Sequence, residues 1–422
     1  MSRQSRRPEQ DWLPALPPHW GYKKLKFLFR QTSGGTPAKE IAAYWIGDIP
    51  WVSPKDMKCS VISDTEDHIS AQAIRESATT LVPRDTLLLV VRSGILRHSI
   101  PVALAGCSVT INQDIKALIP RRADTKPQYY AALIHGLQDQ LLTLWRKQGA
   151  TVESLESDLI GDTVVPVPPP AEQRAIADFL DRETAKIDAL IAAQERLIAL
   201  LDEKRQATIT HAVTKGLDPN APMKESGVEW MGKVPQHWTV KSLKYLASIA
   251  SGYPPPASFD RERGRYPVYG SNGMIGYCEE YFVRRESLVV GRVGASGAVN
   301  VTPARSWVSD NALLLRVVGR EASLEWLRYI LETLNLGTQA SKTAQPLVTG
   351  TFLGGQLIPT PNPREQHAIA DFVDRNVASI DSLRHKTERF IERLRERRTA
   401  LITAAVTGQI DVSRPTITEA AE

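Results

Sequence analysis

Cysteine is scarce in this chain. Cys59, Cys107 and Cys278 lie far apart with no CxxC pair, which excludes a disulfide framework and a structural zinc site. No apolar run approaches the ~18–20 residues that span a bilayer, so a transmembrane protein is excluded as well. The opening MSRQSRRPEQDW carries basic residues with no apolar stretch behind them, so no secretory signal is expected, and a reducing, cytoplasmic location is the simplest reading. Catalytic signatures are missing too. There is no G-x-G-x-x-G turn, no HExxH and no [DN]PP[FY] tetrapeptide of the adenine methyltransferases. The nearest approach to a phosphate loop, GVEWMGK at 227–233, is followed by Val234 where a magnesium-binding Ser or Thr is needed. Asp56 with Lys58 lacks a second carboxylate at nuclease spacing. The expectation is a chain that is no enzyme, with no catalytic residue, no metal ligand set and no cofactor of its own.

What is present is an ordinary globular composition, with 42% apolar and 23% charged residues in 422, enough for roughly two to four domains. The net charge of +5 is unevenly placed: residues 238–364 carry 14 Lys/Arg against 9 Asp/Glu, and 20–171 carry 17 against 15. A modest basic excess in two blocks favours an anionic partner such as nucleic acid, though by itself it fits a solvated surface equally well.

The informative feature is an internal repeat. EQRAIADFLDRETAKIDALIAAQERLIALLDEKRQATITHAVTKGLD from Glu172 aligns without a gap on EQHAIADFVDRNVASIDSLRHKTERFIERLRERRTALITAAVTGQID from Glu365, with 26 of 47 positions identical at an offset of 193. A shorter repeat precedes each block, WLPALPPHWGYKKLKFL from Trp12 and WMGKVPQHWTVKSLKYL from Trp230, at an offset of 218. Each leads into a similar turn, SGGTP at Ser33 and SGYPP at Ser251. His19 and His237 belong to this PxHW frame, where capping or packing is their expected role. Between the repeats lie two segments that look unlike one another beyond their edges, the first 25 residues longer. A duplicated frame holding two unlike inserts suggests two recognition modules with different targets. The tail parallels the central linker, so the two termini are expected to lie near one another.

The shared blocks predict long helices. Glycine and proline are rare within them, and apolar residues recur every seven positions: Leu180, Ile187, Gln194, Leu201 in the first copy, Val373, Ile380, Thr387, Leu394 in the second. Leu190, Leu197, Leu383 and Phe390 are the further expected packing positions. Two such helices related by a pseudo-twofold axis must run antiparallel, as spacers roughly 60 Å long. The inserts read as mixed α/β, with strands at TLLLVV from Thr86, IKALI from Ile115, SLVVGRV from Ser287 and ALLLRVV from Ala312. Helices are expected over 127–147 and 324–336.

Candidate contacts sit on glycine- and arginine-bearing turns, because glycine permits close approach to a phosphate backbone, Arg reads guanine edges and Asn or Gln reads adenine. In the first insert these are Thr36, Lys39, Lys55, Arg92, Ser93 and Arg97. In the second they are Arg265, Tyr269, Ser271, Asn272, Arg292 and Ser296.

Taken together, the two PxHW starts, SGGTP…YWIGDIPWVSPKD, YPVYGSNGMIGY…VGRVGASG…DNALLL, and the paired EQxAIADFxD helices after VPPPAEQ and TPNPREQ closely resemble the specificity (S) subunits, the HsdS family, of type I restriction–modification systems, over nearly the whole chain. The resemblance implies an α+β architecture of two mixed α/β target recognition domains separated by two long helices in an antiparallel coiled coil. It implies a segment 1–19, a first recognition domain 20–171, a helical spacer 172–219, a linker 220–237, a second recognition domain 238–364, a second spacer 365–412 and a tail 413–422. Each domain would read half of a bipartite double-stranded DNA site. Two modification (methyltransferase) subunits would bring S-adenosylmethionine, and restriction subunits ATP and Mg; a membrane partner is not expected. The alternative left open is a stand-alone two-headed DNA-binding regulator.

Overall fold

A computed structural model describes residues 12–147, 149, 152–339 and 347–412; the tail 413–422 and the two termini lie outside the described residues. The chain divides into two compact units, Met1–Ala193 with Phe390–Glu422, and Gln194–Arg389. No described helix is long and apolar enough to cross a membrane.

The first unit holds strands β1 (Phe29–Ser33), β2 (Ile49–Val52), β3 (Leu87–Val90), β4 (Val102–Ala105), β5 (Val109–Ile111) and β6 (Ile115–Pro120), then helix α1 (Pro127–Gly136) and the first half of α2 (Pro170–Lys215). Its main sheet runs β1-β6-β3-β4 antiparallel, with Val61–Ile62 parallel to β4 at the edge. The run of leucines in β3 is explained by burial on both faces. Leu87 and Leu89 pack with Tyr129 and Leu133 of α1. Leu88 and Val90 point the other way, onto Val52 of β2 and Val109 and Ile111 of β5.

The second unit holds β7 (Ala247–Ser251), β8 (Tyr266–Gly270), β9 (Gly273–Cys278), β10 (Ser287–Gly291), β11 (Val299–Thr302), β12 (Trp307–Val308), β13 (Ala312–Val317), α3 (Leu324–Thr333) and the first half of α4 (Pro363–Val406). Its main sheet runs β7-β13-β10-β11. That is the same order as in the first unit, with the same registers: Ser33 faces Lys116 as Ser251 faces Leu313. The short parallel pair recurs as well, β2 with β5 and β8 with β12. The two inserts, unlike in sequence, are therefore built on one scaffold. The helix expected over 127–147 is broken after Gly136 and resumes at Gln138–Trp145; Thr403 Oγ1 donates to the Gly136 carbonyl at 2.7 Å, satisfying the group the break releases.

The repeated PxHW and EQ elements meet in both units. Glu172 at the start of α2 accepts from Trp20 Nε1 at 2.8 Å and bonds His19 at 2.9 Å. Glu365 at the start of α4 does the same for Trp238 and His237, each at 2.9 Å. The adjacent glutamines pin α1 and α3. Gln173 accepts from Lys126 N before α1 and donates to the Pro168 carbonyl. Gln366 accepts from Ser323 N before α3 and donates to Pro361 and Glu321 carbonyls. The end of the other long helix completes each contact, with Gly408 against Pro17 and Trp20, and Gly216 against Trp238 and Glu365. His19 and His237 are thus structural.

Within the second unit the long helices run antiparallel, since Asp202 pairs with Arg384 and Arg205 with Asp381. In the first unit Arg398 pairs with Asp188 at 2.8 Å. Of the expected packing positions, Leu180, Leu201, Val373, Ile380 and Leu394 are buried and Ile187 and Leu197 half-buried. Leu190, Leu383 and Phe390 are instead exposed, because no described neighbour covers that flank. The polar position Thr387 is buried and donates to the Leu383 carbonyl of its own helix.

Two expectations follow from these contacts. Glu365→Ala leaves the buried Trp238 N–H without its acceptor, which should cost about 1–3 kcal/mol in chemical unfolding of the chain; an unchanged midpoint would show that the contact carries no weight. His135 on α1 is solvent-accessible, yet desolvation by the surrounding chain, then the nearby Arg398, lowers its imidazole below the usual 6.5 despite a hydrogen bond to Val102. The unfolded chain takes up that proton more readily than the folded one, so this contribution to stability is present at neutral pH and lost as pH falls through the unfolded value. Unfolding scans between about pH 8 and 5 should show that loss, and His135→Gln should flatten it.

Candidate nucleic-acid interface

In both units the same three loops gather at one end of the main sheet. The turn after β1 is pressed so close to β5 that a side chain on Gly34 would overlap the Ile111 carbonyl, and Gly252 after β7 stands equally close to Val308 and Ser309. This close approach is why both turns read Ser-Gly. The loop after the third scaffold strand is tied to the corner before the last one: Val91 N donates to the Asp114 carbonyl at 2.8 Å, and Arg292 N to the Asn311 carbonyl at 2.9 Å.

In the first unit the candidates fall into two groups. Thr36, Lys39 and Lys55 line one cleft of about 640 Å³ together with Trp45, Trp51, Asp67, Asn112 and Gln113. Thr36 Oγ1 donates to Gln113 Oε1 at 2.7 Å. Lys55 pairs with Asp67 at 3.1 Å and Glu66 at 3.4 Å, and the Asp67 hydrogen bond raises its ammonium above the ordinary lysine value. Asp56 is structural, accepting from Ser53 N, Ser53 Oγ and Glu66 N. Arg92, Ser93 and Arg97 form the second group on the loop after β3. Ser93 Oγ accepts from Ile95 N to cap the short turn Gly94–Arg97, Arg97 stands 3.6 Å from Glu153, and Arg92 is exposed. The corner Asn112–Asp114 joins the groups, with Gln113 in the cleft and Asp114 holding Val91.

In the second unit Ser271, Arg292 and Ser296 converge. Ser271 Oγ donates to the same Asn311 carbonyl at 2.6 Å that Arg292 N bonds, and Ser296 Oγ donates to the Arg292 carbonyl. Asn272 is exposed at the tip of the β8–β9 turn. Two candidates lie apart from this cluster. Arg265 sits at the far end of β8 over the Tyr266 ring, and Tyr269 packs with Phe282 against Val283, Val289 and Val308.

Among the described residues, the candidates Lys39, Arg92 and Arg292 have no ion-pair partner, which leaves their charge available to an anion. Sequence reasoning passed over Trp45, Trp51 and Gln113. The tryptophans stood in view within YWIGDIPW; Gln113 lies 77 residues from Thr36 and had no signal. Gly291 marks the tightest point of the second cluster, since a side chain there would come within 2.1 Å of the Ala295 carbonyl and 2.5 Å of the Ser271 carbonyl. Gly291→Ala should therefore destabilise by about 1–3 kcal/mol and lower the thermal unfolding midpoint. Gly355→Ala, where a side chain meets nothing within 4 Å, should leave it unmoved. Equal behaviour of the two variants would refute the crowding.

Comparison with known proteins gives a consistent outcome. A family model described as the type I restriction modification DNA specificity domain matches residues 17–198 and 235–393. The chain is 34% identical over 180 residues to the specificity subunit of the type I restriction enzyme EcoR124I/EcoR124II of Escherichia coli, an alignment covering 42% of this chain and 44% of that one. It is 29% identical over 289 residues to the MjaIX specificity subunit of Methanocaldococcus jannaschii, covering 65% and 60%. These two alignments span about half the length of the relatives; that with the EcoprrI specificity subunit of Escherichia coli, at 26% identity, covers 87% of each chain. Among solved structures, a chain from a study of assembly and conformational transition of the type I R-M system superposes with a TM-score of 0.74 at 16% identity, covering 94% of this chain and 100% of that one. The HsdS subunit of Thermoanaerobacter tengcongensis does so with 0.53 at 17%, covering 94% and 98%. At such identities the likeness establishes the fold.

Proposed function

The chain belongs to the type I restriction modification DNA specificity family, and from that premise we propose that it is the non-catalytic sequence-reading subunit of a type I restriction–modification complex. Each unit reads one half of a bipartite double-stranded DNA site with its loop cluster. The observation that carries this reading is the pair of like scaffolds bearing unlike loops at the same end of the sheet. A common scaffold places both loop sets alike, and the differing side chains give each set its own base preference.

The long helices are assigned the role of spacer. Helix α2 has 46 residues, about 70 Å at 1.5 Å per residue, or roughly two turns of duplex at ~34 Å each. Two modification subunits are proposed to dock on the helices, supplying S-adenosylmethionine and swinging out the target adenine, with restriction subunits supplying ATP-driven cleavage. The exposed Leu190, Leu383 and Phe390 are available for such contacts. Lys39, Arg92 and Arg292 would meet phosphate or base edges, and Arg265 and Tyr269 would act less directly.

Exchange of residues 20–171 for the corresponding block of another family member tests the reading. With the full system expressed in a host, methylome sequencing should show one half of the modified site changed and the other retained. Both halves altered together would end the idea of two independent readers.

A further inference from the structure

We propose that the cleft of the first unit is a nucleotide-binding site, in which an unstacked nucleobase lies on Trp45 and its phosphate meets Lys39. The shared chemistry, a flat heteroaromatic ring with an anion attached, has two sources: a nucleotide turned out of bound DNA, or a free nucleoside phosphate. Only the first of these rests on the DNA-reading assignment.

The cleft is about 640 Å³, within the range of small-molecule sites. Its floor is a fixed aromatic pair, Trp45 and Trp51, with ring centroids 5.1 Å apart and planes at 84°. Both indole N–H groups are already spent on backbone, Trp45 on the Ala38 carbonyl and Trp51 on that of Gly35. The rings are thus held in place and offer π-surface rather than hydrogen bonds. Trp51 is buried whereas Trp45 is half-buried, so Trp45 supplies the accessible face. Bases in an intact duplex present only their edges to a protein, so a ring that lies flat on Trp45 is one that has left its stack.

The rim supplies the remaining chemistry. Lys39 has no ion-pair partner among the described residues, so its charge is available to a phosphate. Lys55 is already committed to Asp67 and Glu66. Asp67 lines the same cleft, a carboxylate suited to accept from an exocyclic amino group. Adenine, cytosine and guanine carry such a group and thymine does not, so the site should favour the first three. In the second unit the residue corresponding to Gly35 is Tyr253, whose ring packs edge-on against Phe282 at 5.1 Å.

Calorimetric titration of the purified full-length chain with dAMP, deoxyadenosine and dTMP tests the site. We expect saturable dAMP binding, with dTMP weaker. Trp45→Ala should weaken dAMP at least about tenfold, the scale of base–aromatic stacking, and Trp45→Phe should restore most of it. Lys39→Ala should weaken dAMP but not deoxyadenosine, which lacks the phosphate. Displacement of dAMP by a duplex carrying one unpaired adenine assigns the site to DNA; displacement by free nucleotides alone assigns it to a soluble effector. Absence of dAMP binding at millimolar concentration, or a Trp45→Ala chain that titrates like the native one, overturns the proposal. Duplex binding followed in parallel by fluorescence anisotropy keeps the two readings apart, because the loops can bind duplex with the cleft empty and the cleft can bind dAMP without the duplex.

Discussion

Each tryptophan of the repeated His-Trp pair occupies the one place where the start of one long helix meets the end of the other. Trp20 hydrogen-bonds Glu172 at the start of α2 and touches Gly408 beyond the end of α4; Trp238 does the same with Glu365 and Gly216. A start beside an end requires antiparallel helices, and the ion pairs of the second unit run in that sense. The same contact closes each recognition block on itself, since the chain leaves at the tryptophan and returns at the glutamate. Loop-closure entropy grows slowly, by about 0.6 kcal/mol per doubling of length. A block can therefore gain the 25 residues that separate the two inserts at little cost to the frame. That tolerance is what a protein needs if its recognition blocks vary while its helices stay the same.

Inside each block the division of labour is also physical. The middle strands are apolar on both faces because both faces are covered, which fixes their register and leaves no surface for reading. Charged and polar residues stand instead on the loops, those of the candidate interface among them. Even there the charge is partly cancelled: Arg97 stands near Glu153 and Lys55 is held by two carboxylates. Which cations are available to an anion is therefore decided by pairing rather than by the net charge. Among the described residues, Lys39, Arg92 and Arg292 stand unpaired at fixed places on these loops, which favours a positioned contact over a diffuse electrostatic one.

The frame was legible in the sequence because its interactions are between residues whose chemistry cannot be exchanged. A carboxylate that accepts from both an indole and an imidazole, and an amide that both accepts and donates, leave identical letters at 172, 173, 365 and 366. The shared scaffold left no such trace. Its strands ask only for apolar side chains of suitable shape, and TLLLVV and SLVVGR meet that demand equally. Contacts such as Thr36 with Gln113 depend on the fold bringing distant turns together and had no local signal. The helical seam was legible in part. Periodicity names a stripe, but burial needs a neighbour on it, and Leu383 and Phe390 have the period without the cover.

The repeat also shows where the frame permits difference. Arg205 and Arg398 are equivalent at the offset of 193, as are Asp188 and Asp381, and each Arg pairs with the Asp of its own unit. The third partner comes from α1 or α3 and is not the same. In the second unit it is Glu332, 3.8 Å from Arg205; burial raises its carboxyl while Arg205 and Arg328 draw it back. At the corresponding place on α1 stands His135, which Arg398 repels when protonated. The Arg–Asp pair therefore belongs to the helices and the third group to the block. One block adds a charge attraction to its seat on the helices, and the other is seated by hydrogen bonds, Tyr129 donating to the Val406 carbonyl and Thr403 to that of Gly136. Two different ways of filling one position indicate that the frame asks a block to fit beneath the arginine rather than to match its charge, a demand that many sequences can meet.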